Sequence, residues 1–300
     1  MKKILKIDLD HQNSRIDKVL KKNFSTLNQS FIEKNLRKGS IKVNNKKVQA
    51  KYKLKENDEI EIFNYSEEKY LNIIKKRKSN IPSKILEKFK SSIIYENDDF
   101  IILNKWHGIS TQGGSKIRLS IDDIIKKISI KYNLVHRLDK ETSGLLIIAK
   151  NLMFTKFIGN LFKEKKIHKM YLAFCQGNPS NTESNVKLKI SNKYKKEKNF
   201  LTETKYKVLI SNKNISVISF NPLTGKTHQI RLVAQHLNIP IIGDTKYNKN
   251  SIFSHENLKL NAHILKFIYK DKHYEFRSKL PDDFNSFCKK NKLNFKIKEI

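Results

Sequence analysis

Between Arg15 and Ile62 the apolar residues first recur at helical spacing and then alternate. Ile16, Val19 and Leu20 follow Ser14-x-x-Asp17 and predict a capped helix. Ser30-x-x-Glu33 reads as a capping box that opens a second helix, which runs through Leu36 and stops at Gly39. Beyond Gly39 the period shortens to two. Ile41 and Val43 alternate with Lys42 and Asn44, Asn44-Asn45 marks a turn, and Ile60-Glu61-Ile62 is a later strand after Glu56-Asn57-Asp58. Residues 13–62 therefore read as one small unit. From 63 to 90 the pattern weakens into a linker with some helical content, and its run Lys75-Lys76-Arg77-Lys78 reads first as a solvated connector.

Residues 91–300 form the second, larger unit. It opens with Ile93-Ile94-Tyr95, a Glu96-Asn97-Asp98-Asp99 turn and Phe100-Ile101-Ile102-Leu103, which predicts a hairpin. Gln112-Gly113-Gly114-Ser115 is read as a plain turn before a short helix, since two glycines lack the spacing of a phosphate cradle. His136-Arg137-Leu138-Asp139-Lys140-Glu141-Thr142-Ser143-Gly144 leads straight into Leu145-Leu146-Ile147-Ile148-Ala149, so charged side chains stand at the mouth of a buried strand. Lys169 to Ala173 alternates locally around Tyr171. Residues 178–202 are polar and Lys/Asn-rich and are expected to be surface loops and weak strands.

Composition adds a partner class. The chain of 300 residues is 38% hydrophobic, enough for a real core, and carries a formal charge of +33. That charge would attract polyanions, nucleic acid above all, although an AT-rich genome would also raise the Lys, Ile and Asn content. The seven arginines (Arg15, Arg37, Arg77, Arg118, Arg137, Arg231, Arg277) help separate the two readings, because a chain that favours Lys keeps Arg where a flat, permanently charged fork is needed. Cys175 and Cys288 are isolated and the nine histidines are scattered, so neither a metal site nor a disulfide framework is indicated. No signal peptide and no membrane span is legible, and a cytoplasmic monomer is expected.

Taken alone, Arg137 and Asp139 could be loop residues that satisfy each other. Gly225-Lys226-Thr227 could suggest a P-loop, but the first glycine of that motif falls on Phe220, which excludes a nucleotide hydrolase of that kind. Nine positions in order weigh more. His136-Arg137-Leu138-Asp139 with Thr142-Ser143-Gly144 resembles the His-Arg-Leu-Asp-x-x-Thr-Ser-Gly signature of the pseudouridine synthases that modify ribosomal RNA. The resemblance extends to Lys169-Met170-Tyr171-Leu172-Ala173, and to Gly225-Lys226-Thr227-His228-Gln229-Ile230-Arg231 with Pro240-Ile241-Ile242-Gly243-Asp244. It implies that Asp139 is the catalytic aspartate, that Tyr171 lies against the target base, that Arg231 pairs with Asp139, and that Arg137 fills the space left by a flipped nucleotide. A guanidinium suits that pairing because it keeps its proton beside a carboxylate. The chain departs from the pattern at Trp106, Lys226, Val233, Asn238 and Asn261.

The first unit is similar to the S4 domain through Arg15-Ile16-Asp17, Leu36-Arg37-Lys38-Gly39 and Ile41-Lys42-Val43-Asn44. It carries 13 basic against 6 acidic side chains over residues 15–62. The resemblance implies that Arg15, Arg37, Lys38 and Lys42 contact RNA phosphates, a positioning role. The implied fold is α+β, a small S4-like domain followed by a mixed, largely antiparallel catalytic sheet. The implied activity is conversion of uridines to pseudouridine in 23S ribosomal RNA or a large-subunit precursor, by base flipping and attack or proton abstraction by an aspartate, with no cofactor. Two alternatives remain at this point: the same chemistry on transfer RNA or other ribosomal sites, and a non-catalytic RNA-binding assembly factor.

Overall fold

In the computed structural model, which describes residues 1–24, 27–70, 81–114, 117–191, 199–248 and 251–295, the chain divides into two units, Met1–Asn80 and Ile81–Ile300. The first comprises β1 (Lys3–Lys6), α1 (Ile16–Asn23), α2 (Gln29–Lys38), β2 (Ile41–Val43), β3 (Glu59–Ile62) and α3 (Glu67–Tyr70). Its strands form an antiparallel sheet in the order β1-β3-β2. Ile16, Val19, Leu20, Ile32 and Leu36, at helical spacing, are buried in one core with Ile41, Val43, Ile60 and Ile62.

Both helix starts differ from expectation. Arg15 occupies the N-cap of α1 without a side-chain cap, its guanidinium turned onto Asp17. Asn28 rather than Ser30 caps α2, accepting the Phe31 N–H at 2.8 Å, because Asn is as good an N-cap as Ser and stands two residues earlier. Gly39 ends α2 in the left-handed conformation, as its position predicts. The run Lys75–Lys78 lies outside the described residues.

The second unit runs α4 (Ser83–Ser91), β4 (Ile93–Glu96), β5 (Phe100–Lys105), α5 (Ile121–Ile128), β6 (Asn133–Leu134), β7 (Ser143–Ala149), α6 (Leu152–Lys163), β8 (His168–Gln176), β9 (Glu183–Ser191), β10 (Asn199–Ser211), β11 (Ile215–Pro222), α7 (Gln229–His236), β12 (Leu260–Tyr269), β13 (Lys272–Arg277) and α8 (Asp282–Lys290). Its strands make one mixed sheet in the order β4-β5-β7-β12-β8-β11-β10-β9, with β13 on β12 and β6 on β7. Among the described pairings, β7 with β12 is parallel and the others are antiparallel.

The continuous apolar run of β7 has a direct cause: both faces are covered. Leu146 and Ile148 pack with Ile121, Ile124 and Ile125 of α5, while Leu145 and Ile147 pack with Phe154 and Ile158 of α6. β8 repeats the arrangement, with Ala173 and Cys175 facing α7 and Leu172 and Phe174 facing α8.

Gly144 is required where β7 meets β12. Its φ is +107°, and a Cβ there would lie 2.3 Å from the Ala262 carbonyl oxygen. Residues 183–191 and 199–211 form a long antiparallel hairpin rather than weak strands, with Val186, Leu188 and Ile190 turned toward the protein and Lys187 and Lys189 outward.

Candidate active site

The loop entering β7 is fastened on both sides of Asp139. On one side the buried Thr111 hydroxyl donates to the Leu138 carbonyl at 2.7 Å, and its oxygen accepts the Leu138 N–H at 3.1 Å. On the other, Lys105, at the end of β5 and wholly buried, donates to the carbonyls of Lys140, Ile109 and Trp106 at 3.0–3.2 Å. Burial draws the Lys105 ammonium down to about 7, while the charges of Glu141 and Asp139 pull the other way. Further back, His136 Nε2 accepts the Ile147 N–H at 2.9 Å and its ring packs on Phe162. Burial, followed by the charge of Lys169, pushes His136 down to about 3, so it serves as a neutral acceptor that ties the loop to its own strand.

Held in this way, Asp139 faces a cavity of about 120 Å³ that Arg137, Lys169, Tyr171, His228 and Arg231 also line. Tyr171 comes from β8, two strands away from β7 in the sheet. Burial, and then the charge of Asp139, raises the pKa of its phenol well above the ordinary tyrosine value. Arg137 is exposed at the mouth.

The far wall is the segment 224–231. Gln229 organises it: its side-chain oxygen accepts from the Thr224 hydroxyl (2.8 Å) and the Lys226 N–H (3.0 Å), and its amide donates to Thr204 (2.9 Å) and the Glu203 carbonyl (3.1 Å). His228 then sits at the N-cap of α7 in the left-handed conformation, φ 56°, with Nε2 3.7 Å from Asp139 Oδ2. Its Nδ1 lies 2.8 Å from the Tyr247 hydroxyl and 3.1 Å from Lys246 Nζ. An ammonium can only donate, so Nδ1 accepts and Nε2 presents its N–H to the carboxylate. Burial holds the His228 pKa below its usual value against the opposing pull of Asp139.

Arg231 corrects one expectation. It lines the same cavity as Asp139, yet its guanidinium makes two charged hydrogen bonds to Asp244, at 2.7 and 2.6 Å, and lies over the Tyr247 ring. Asp244 is the better partner because it is almost fully buried and shares a planar, two-pronged geometry with the guanidinium. The carboxylate also accepts the N–H groups of Lys246 and Tyr247, which shapes the turn behind His228.

The structure thus brings Asp139, Arg137, Tyr171 and Arg231 to one cavity and adds His228, Gln229, Asp244, Lys105 and Thr111. His228, Gln229 and Asp244 lie inside the recognised segments, and Lys105 immediately before the departure at Trp106, all without an assigned task, while Thr111 carries no sequence signal that would separate it from ordinary surface or strand residues. Asn261, a departure from the expected pattern, is absorbed in a buried chain: its amide donates to Ser143 Oγ (2.9 Å), and its oxygen accepts from Ser278 Oγ (2.5 Å).

In the first unit, the Arg15 guanidinium bonds both oxygens of Asp17 at 3.1 and 2.7 Å. Arg37 and Lys38 are exposed in the last turn of α2, and Lys42 Nζ lies over the Phe63 ring. Among the described residues no cluster of three or more His, Cys, Asp or Glu could hold a metal ion, and no helix is long and apolar enough to cross a membrane.

Residues 99–236 match the RNA pseudouridylate synthase family and residues 14–60 match the S4 domain. The chain is 37% identical over 292 residues to the ribosomal large subunit pseudouridine synthase C of Rickettsia bellii, covering 91% of this chain and 96% of that protein. It is 35% identical to the protein of the same name from Buchnera aphidicola, covering 88% and 89%. Among solved structures, the human RNA pseudouridylate synthase domain containing 4 aligns with a TM-score of 0.63 at 21% identity, over 71% of this chain and 97% of that one, a likeness of fold.

Proposed function

This chain belongs to the RNA pseudouridylate synthase family, and from that footing we propose that it converts specific uridines of 23S ribosomal RNA to pseudouridine. It is a pseudouridine synthase with an S4 domain. The choice of large-subunit ribosomal RNA follows the relatives' names and the basic surface. The observation that carries the reading is the convergence of Asp139, Arg137 and Tyr171 on one cavity.

The reaction fits such a site without a cofactor. The uracil N1–C1′ bond breaks, the ring turns, and C5 joins C1′. C5 loses a proton and N1 gains one, so product and substrate are isomers and no oxidant or donor is consumed. The target must first leave its stack, which costs a few kcal/mol, and the exposed Arg137 at the mouth takes the vacated space in this reading. Tyr171 supplies a wall for the loosened ring, worth about 1–3 kcal/mol per stacked base. Asp139 acts on the nucleotide, by attack or by proton abstraction, while Thr111 and Lys105 fix the backbone on either side of it and His228 stands 3.7 Å from its carboxylate. Arg231 acts through Asp244, holding the turn on which His228 rests and adding positive charge to the cavity.

Pseudouridine mapping of ribosomal RNA from cells with and without this protein tests the reading. The expected result is the loss of particular pseudouridines from 23S RNA. An unchanged 23S map with a missing transfer-RNA site would move the substrate, and no change anywhere would reject the reading.

A further inference from the structure

The cavity at Asp139 continues into a larger depression of about 460 Å³. Lys169, Pro222, Thr224, Gly225 and Lys226 line both. The outer wall of the depression comes from the turn joining α6 to β8, which contributes Lys163, Lys165 and Lys166, all exposed. Among the described residues no acidic one lines it. The turn is well fastened. The Lys165 and Lys166 N–H groups close onto the Phe162 and Leu161 carbonyls, Lys165 is left-handed, and Ile167 is buried in the core beside α6.

A mundane explanation covers part of this cluster, since cations at a helix C-terminus complement its dipole. That effect fades within the last turn and accounts for Lys163, not for Lys166 or for Lys169 in β8. The sole ion pair described for the three turn lysines, Lys166 with Glu164 at 2.9 Å, joins two exposed groups and holds little. Lys163, Lys165 and Lys166 therefore present positive charge to a groove that opens directly onto the catalytic cavity.

We propose that this groove carries the phosphates of the RNA strand next to the target nucleotide, so that the strand passes over the 163–169 turn and past Gly225 as the uridine enters. The inference rests on the reading that the Asp139 cavity receives a uridine. Lysine point charges suit backbone contact rather than sequence readout.

The test uses the full chain and a 23S ribosomal RNA transcript, with binding measured from 50 to 200 mM KCl. Three phosphate contacts to a single strand contribute about 2 to the slope of log K against log salt, at roughly 0.7 each. The triple variant Lys163→Ala, Lys165→Ala, Lys166→Ala should lower the slope by about that amount. The corresponding triple Arg variant should keep it. A control triple at exposed lysines lining neither cavity, Lys272→Ala, Lys279→Ala, Lys289→Ala, should change it less. An unchanged slope in the first variant, or an equal loss in the control, overturns the groove. Pseudouridine formation by the unsubstituted chain is scored separately. If it is absent the proposed function fails, and if it is present with an unchanged slope only the groove fails.

Discussion

Arg231→Gln, Asp244→Asn and Asp139→Asn, singly and in pairs, form two double-mutant cycles that measure which carboxylate holds the guanidinium. Arg231 and Asp244 are 8% and 1% exposed at their side chains and joined by two short hydrogen bonds. Removing either partner leaves the other buried without its counter-charge, a loss of about 3–5 kcal/mol. The value should fall near the lower end, because the Lys246 and Tyr247 N–H groups still serve Asp244 when Arg231 is gone. The coupling between positions 231 and 244 should then be about 2–3 kcal/mol. Asp139 is 20% exposed, and its described ion-pair partner is His228 at 3.7 Å, so its coupling to Arg231 should stay below about 1 kcal/mol. Urea unfolding of the full chain can be followed by fluorescence of Trp106, the chain's single tryptophan, which lies in the second unit and so reports that unit directly. A 231/139 coupling equal to or larger than the 231/244 coupling would refute this assignment.

Three further outcomes are expected. Gly144→Ala combines a disfavoured φ with a Cβ 2.3 Å from the Ala262 oxygen and should cost at least about 3 kcal/mol; an unchanged thermal midpoint would contradict the close approach of β7 and β12. His136 is depressed from 6.5 to about 3 in the fold, so the unfolded chain takes up its proton first as the pH falls. Stability on the order of 2–4 kcal/mol, allowing for partial exposure, is present above about pH 6.5 and lost toward pH 3, and His136→Gln should flatten that stretch of the stability curve measured by urea titration. Tyr171→Ala should lower kcat/KM by roughly 5- to 150-fold, the equivalent of about 1–3 kcal/mol of stacking, and an unchanged value would remove the ring from the base site.

How far the sequence carries depends on how local each cause is. β7 was legible because burial on both faces demands an unbroken apolar run, and Gly39 because a left-handed helix end favours glycine. The β9–β10 hairpin was faint, since its inward Val186, Leu188 and Ile190 are diluted by outward lysines. The parallel contact of β7 with β12 joins residues 118 apart, Ser143 and Asn261, and no local pattern announces it. Within the site, Asp139, Arg137 and Tyr171 came from motifs that preserve order and spacing. The partner of Arg231 did not, because Asp139 and Asp244 are both acids near the cavity and only the turn at Lys246–Tyr247 makes Asp244 the buried one. The tasks of Thr111 and Lys105 were hidden for a related reason: they are bonds to loop carbonyls, which any residue type leaves in place.

In the proposed reaction the Asp139 carboxylate acts on a uridine held in this cavity. Because C5 exchanges its hydrogen for C1′, the most direct measurement is tritium release from 23S ribosomal RNA carrying 5-tritiated uridine, with the unsubstituted chain and with Asp139→Asn at matched RNA occupancy. Release by the first and none above background by the second, with RNA affinity retained, is the expected result. Comparable release by Asp139→Asn would contradict it.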